Sequence, residues 1–100
     1  MWIIIDSKQI QLTTIFWDIS HEFPINNSIL MQVQVKATTS STTFDVYIKD
    51  VNWLEVYRSD NNQWLLNELM SFPVYSNQTI YIENASVDEA FNIRLNYRRS

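Results

Sequence analysis

Apolar and polar residues alternate with period two along most of this chain, and that pattern restricts it to β-structure. Ile10, Leu12, Thr14 and Phe16 alternate with Gln11, Thr13, Ile15 and Trp17. Met31, Val33, Val35 and Ala37 alternate with Gln32, Gln34 and Lys36. The same rhythm runs through Phe44–Lys49, Trp53–Tyr57, Thr79–Glu83 and Phe91–Arg98, and Trp2–Asp6 reads as a short edge strand. These segments are of ordinary strand length and rich in Ile, Val, Thr and aromatic residues, which suit a pleated surface. About seven strands, each with one apolar face, predict an all-β fold: an antiparallel β-sandwich of two sheets sharing a core. A small barrel is the second choice. No linker, repeat or low-complexity tract divides the 100 residues, so residues 1–100 read as one domain.

One stretch breaks the rhythm. Within Gln63–Met70, the apolar residues Leu65, Leu66, Leu69 and Met70 fall at a helical spacing, with Asp60–Asn62 as a cap and Pro73 as a stop, though the same residues could form a strand with a bulge. This predicts a short helix or irregular crossover near residues 62–70.

The chain contains no glycine. Phosphate-cradling loops, the dinucleotide fingerprint and the nucleophile elbow all need glycine and are excluded. Turns must instead use Asn, Asp and Ser, which tolerate left-handed backbone or bond to it. Asn26-Asn27-Ser28, Ser59–Asn62, Ser76-Asn77 and Asn84-Ala85-Ser86 are the predicted turns. The sequons at Asn26, Asn77 and Asn84 are read as turns too. With no cysteine, there is no disulfide, no thiolate metal site and no thiol nucleophile.

A net charge of −4 disfavours direct contact with nucleic acid. The opening Met1-Trp2-Ile3-Ile4-Ile5-Asp6 lacks a basic region and a long apolar core, so the expectation is a protein made in a cytoplasm and not secreted by its own signal. No stretch approaches the roughly 20 apolar residues that span a bilayer as a helix, and no membrane role is expected.

Little points to catalysis. His21, between Asp18 and Glu22, is the one histidine, and a polar loop explains it better than a metal site. Asp60-Asn61-Asn62 and Asp88-Glu89 offer oxygen atoms but not the spacing of a calcium loop, and read as solvated turns. The expectation is a protein that is not an enzyme, with no cofactor and no metal.

Aromatic residues carry the functional signal. With Leu54 and Val56 turned to the core, Tyr47, Trp53, Tyr57 and Tyr81 fall on the outward sides of their strands, and Trp17 joins them. A contiguous patch of Trp and Tyr marks an interface. Arg94 and Arg98, on the polar face of the last strand, are placed to grip a carboxylate or phosphate. In layout the chain resembles the small β-sandwich virion proteins of tailed bacteriophages, of the auxiliary or decoration capsid type or the head–tail and tail adaptor type. The features that carry this likeness are the short chain from Met1, the missing cysteine and signal, the seven-strand pattern and the final strand Phe91-Asn92-Ile93-Arg94-Leu95-Asn96-Tyr97-Arg98. The likeness spans the whole chain and carries no motif, so it transfers no residue roles. It implies a virion subunit that binds other protein subunits as a homo- or hetero-oligomer. The alternative is a carbohydrate- or receptor-binding module, with Trp53, Tyr47, Tyr57 and Tyr81 as a stacking platform for a glycan.

Overall fold

The computed structural model describes residues 5–23, 27–74 and 78–99. They form eight strands: β1 (Asp6–Thr13), β2 (Ile19–Glu22), β3 (Ser28–Ala37), β4 (Thr43–Lys49), β5 (Glu55–Gln63), β6 (Leu65–Val74), β7 (Thr79–Glu83) and β8 (Ala90–Arg99). One sheet has the order β1-β8-β3-β6 and the other β2-β7-β4-β5, and every pairing is antiparallel. Position by position, the two orders set β1 opposite β2, β8 opposite β7, β3 opposite β4 and β6 opposite β5. This is the strand order of a jelly roll, the double Greek-key form of the β-sandwich.

The alternation builds the core as expected. Phe44, Val46 and Ile48 of β4, Ile80 and Ile82 of β7, Val33 and Val35 of β3, and Phe91, Ile93 and Leu95 of β8 are all at most 1% exposed. Phe44 and Phe91 meet edge to face across the sheets, with ring centroids 5.1 Å apart. Burying such side chains is worth roughly 1.5–3 kcal/mol each and is the main force holding the layers together.

Several expectations are corrected. Residues 62–70 form no helix: β5 runs to Gln63, Trp64 crosses between sheets, and β6 follows. In β6 Leu66 is buried and Met70 packs on the core, while Leu65 and Leu69 are exposed. Apolar side chains on both faces imitated a helical stripe. Pro73 does not end a helix but sits within β6, at the sheet edge, where a missing N–H is tolerated.

Asp18–Glu22, expected as loop, contains β2, and Ser59–Asn62, expected as a turn, lies inside β5. There Asn61 takes a left-handed φ of 57° where the β4–β5 register shifts. In β3 a bulge between Leu30 and Gln32 moves the buried phase from Leu30 to Val33, so Met31 is only half-buried. The expected strand Trp2–Asp6 lies mostly outside the described residues, and Asp6 opens β1 instead. The predicted turn at Ser76-Asn77 lies outside them too, as does Asn26.

Hydrogen bonds close the end of the sandwich where β1, β3, β5 and β7 finish. Glu89 accepts from the Thr39 amide at 2.8 Å and the Thr39 hydroxyl at 2.9 Å. The Thr14 amide donates to the Glu89 carbonyl, and the Ser86 amide to the Thr43 carbonyl. Slight burial works to raise the Glu89 pKa, but the hydrogen bonds from Thr39, with those from neighbouring Thr42 and Thr38, together outweigh it and hold the carboxyl below the ordinary carboxylate value. A lowered folded pKa means stabilisation that is present above the unfolded value of about 4.3 and is lost as pH falls through the folded one. Wild type is therefore expected to be more stable than Glu89→Gln at pH 7. In urea titrations across pH 3–7 the gap should narrow below about pH 4.

Candidate interaction surfaces

A chain without glycine must place other residues wherever the backbone turns left-handed. Among the described residues, seven have positive φ: Asn27, Asn61 and Asn84, and four aromatic residues, Phe16 (51°), Trp17 (77°), Trp53 (64°) and Trp64 (65°). Asn adopts this region readily. A bulky residue there is strained by roughly 1–2 kcal/mol and persists only where the surroundings fix it.

The β1–β2 connection shows how it is fixed. Ile15 and Asp18 exchange backbone hydrogen bonds at 3.0 and 3.3 Å, leaving Phe16 and Trp17 as a two-residue loop. Positive φ at both marks a type I′ turn, a place that favours Asn-Gly. The Asp88 carboxylate reaches across from the β7–β8 loop and accepts from both amides, Phe16 at 3.1 Å and Trp17 at 2.7 Å. The Trp17 carbonyl accepts from Ala85. The backbone is thus clamped while the side chains point away from the body: Phe16 is 80% exposed and Trp17 52%, with Ile15 and Val87 exposed on the same end.

The β4–β5 connection, at the opposite end, repeats the device. Asp50 and Leu54 close a three-residue loop, Val51-Asn52-Trp53. Asp50 Oδ1 accepts from the amides of Asn52 at 2.8 Å and Leu54 at 3.1 Å. Trp53 stands at the left-handed third position, normally glycine's, and is 74% exposed beside exposed Val51, Leu54 and Val56.

The outer face of sheet β2-β7-β4-β5 links to this second pole. Tyr47 and Tyr81, paired across β4 and β7, stack with centroids 4.8 Å apart. Lys49 Nζ lies 5.3 Å from the Tyr47 ring centre, 5.4 Å from that of Tyr81 and 5.8 Å from that of Trp53. Arg58 covers Tyr47 from β5 at 4.9 Å and is itself held by Glu55 and Asp60. Tyr47 is in consequence only 5% exposed. Burial, together with the Glu83 carboxylate bonded to its hydroxyl, pushes the phenol pKa well up.

The structure therefore gathers Tyr47, Tyr81 and Trp53 around Lys49 but does not make them an open platform. Tyr57 does not join them. It pairs with Ile48, packs against the core and has its hydroxyl buried. Burial, then the charge of Glu68, raises its pKa. Leu54 and Val56, expected in the core, are exposed: Tyr57, opposite buried Ile48, takes the inward position beside Val56, and Leu54 closes the β4–β5 loop before the strand begins. Trp17 belongs to the opposite end. Arg94 and Arg98 lie on the outer face of the other sheet, Arg94 exposed and Arg98 half-buried.

Oxygen-bearing residues read as solvated turns prove to be backbone acceptors: Asp88 holds the Phe16-Trp17 turn, and Glu89 holds Thr39. His21 is exposed on edge strand β2, and among the described residues no three His, Asp, Glu or Cys side chains gather as a metal-binding set. Sequence reasoning passed over Phe16, Val51 and Leu54 as surface anchors. The one available signal was Asp18 and Asp50 bracketing short aromatic or apolar runs in a chain with no glycine for its tight turns. No protein-family model matches the chain, and no curated protein sequence is significantly similar to it.

Proposed function

We propose that this chain is a non-catalytic structural subunit of a larger assembly, a virion component of auxiliary-capsid or head–tail type, which binds neighbouring protein subunits through its two apolar ends. The observation that carries the reading is the strained display of large aromatics at both ends: Phe16-Trp17 on one and Trp53 on the other, each held in left-handed backbone by an aspartate. Strain of this kind stabilises nothing in the isolated domain. It fits a side chain positioned for a partner. Trp and Tyr are the preferred anchors of protein interfaces. The two ends differ in sequence and shape, which suits head-to-tail contacts between subunits rather than a self-matched pair. The jelly roll is used by viral capsid domains as well as lectins and cupins, so the fold accommodates the reading without deciding it.

Light scattering across a concentration series tests the proposal. Wild type should show a defined oligomer or ordered polymer, and Trp53→Ala should weaken that association at least tenfold while changing stability by no more than about 1 kcal/mol, since the side chain is largely in solvent. A wild-type protein that stays monomeric at every concentration would remove self-assembly as the role of the two ends.

A further inference from the structure

The outer face of sheet β1-β8-β3-β6 holds a groove of about 430 Å³, within the range of ligand sites. Its floor is a regular grid of side chains set by strand register. Gln9, Arg94 and Gln34 align across β1, β8 and β3. Gln11, Asn92, Lys36 and Leu65 align in a parallel row that continues onto β6. Among the described residues, four primary amides and two cations line this groove, and no carboxylate does. In a chain of net charge −4 this is a local positive field.

Neither cation is neutralised: among the described residues, no ion pair involves Lys36 or Arg94. Lys36 Nζ rests over the Trp64 ring, 5.0 Å from its centre. With its carbonyl turned to Arg94, Gln9 accepts from Nε at 3.1 Å and Nη2 at 2.9 Å. That fixes the guanidinium while using two of its five donors.

We propose that this groove binds a carboxylate-bearing oligosaccharide, with Arg94 and Lys36 holding the acid group and Gln9, Gln11, Gln34 and Asn92 bonding hydroxyls. An amide offers a donor and an acceptor a short distance apart, which matches the paired hydroxyls of a sugar. Arginine is suited to a planar carboxylate. Leu65 gives an apolar patch at the β6 end for a ring's C–H face. The four strands span roughly 14 Å across at about 4.8 Å per strand, room for a short oligosaccharide.

Other occupants fit less well. The backbones of β8 and β3 are paired on both sides, so a peptide cannot add there as a strand. Two cations are too few for a nucleic-acid backbone, and among the described residues none that lines the groove is aromatic, as base stacking would need. This site is separate from the two apolar ends and stands or falls independently of them.

The test is binding of the full chain to an array of oligogalacturonates and sialylated oligosaccharides, each beside its methyl-esterified or neutral counterpart, followed by titration calorimetry on the best binder. Arg94→Gln and Lys36→Gln change exposed residues on an outer face and should leave the melting temperature unchanged. Each is expected to weaken binding at least tenfold, the neutral counterparts should bind at least tenfold more weakly than the acids, and added salt should weaken binding further. Failure of wild type to bind any acidic sugar, equal binding by Arg94→Gln, equal affinity for the ester, or preferential binding of a single-stranded oligonucleotide would each overturn the proposal.

Discussion

Phe91→Ala is expected to cost about 3–5 kcal/mol of folding stability, the largest effect of any single truncation considered. Phe91 is fully buried in β8, a strand paired on both sides, opposite Leu12 of β1 and Ala37 of β3. Its ring meets Phe44 of the other sheet edge to face, a geometry worth about 0.5–1.5 kcal/mol beyond area burial. Truncation removes this contact and leaves a hole between two sheets that cannot close without moving both. A domain of this size has only about 5–15 kcal/mol in total, so the variant should be measured by urea unfolding at low temperature. Leu69→Ala is the control. That side chain is 78% exposed and its loss should change stability by no more than about 0.5 kcal/mol. A loss below about 1 kcal/mol for Phe91→Ala would mean that the sheets are not held by the packing described.

The double variant Phe16→Asn, Trp17→Gly is expected to do the opposite: raise stability by about 1–2 kcal/mol while abolishing association. Asn-Gly is the favoured pair for a type I′ turn and removes the steric cost of two bulky residues at positive φ. The Asp88 clamp acts on amides that both replacements retain, so the turn should keep its shape. Gains in stability with loss of function are the usual result of relaxing a strained functional site. Thermal melting and light scattering on one preparation would read both effects. A destabilised variant would show that the aromatic rings pack on the body and contribute to folding, and undiminished association would show that this end is not a contact surface.

The core was legible in the sequence where strands are central and flanked on both sides. Phe44, Val46 and Ile48, Ile80 and Ile82, and Phe91, Ile93 and Leu95 alternate without interruption, because one face of each must be dry and the other must not. Legibility failed at edges and bulges. Edge strand β6 has one neighbour, and its Leu65 and Leu69 are exposed, so the period-two signal was overwritten. The bulges at Leu30/Gln32 and Ile48/Lys49 each change the alternation phase, a shift that no residue type announces in a chain without glycine. At the candidate surfaces, the sequence correctly marked Trp17 and Trp53 as outward. It could not show that Arg58 and Lys49 would cap Tyr47, because that depends on which strand pairs with which. Nor could it reveal the groove, whose amides come from three strands widely separated along the chain.

The pairing of β1 with β8 has a kinetic side. Asp6 lies opposite Tyr97 and Thr13 opposite Ala90, so among the described strands β1 has as its lateral partner β8, the strand farthest from it along the chain. Until β8 has been made, β1 has no described strand to zip against, and β3 lacks one of its two neighbours for the same reason. Closure of the first sheet must therefore wait until both of these distant segments are present. The entropic cost of joining such distant segments makes it slow, in the millisecond-to-second range typical of chains dominated by non-local contacts. During that interval unpaired β1 and β3 edges are available to other nascent copies. Yield on expression should therefore respond more to synthesis rate and temperature than the equilibrium stability of the finished domain would suggest.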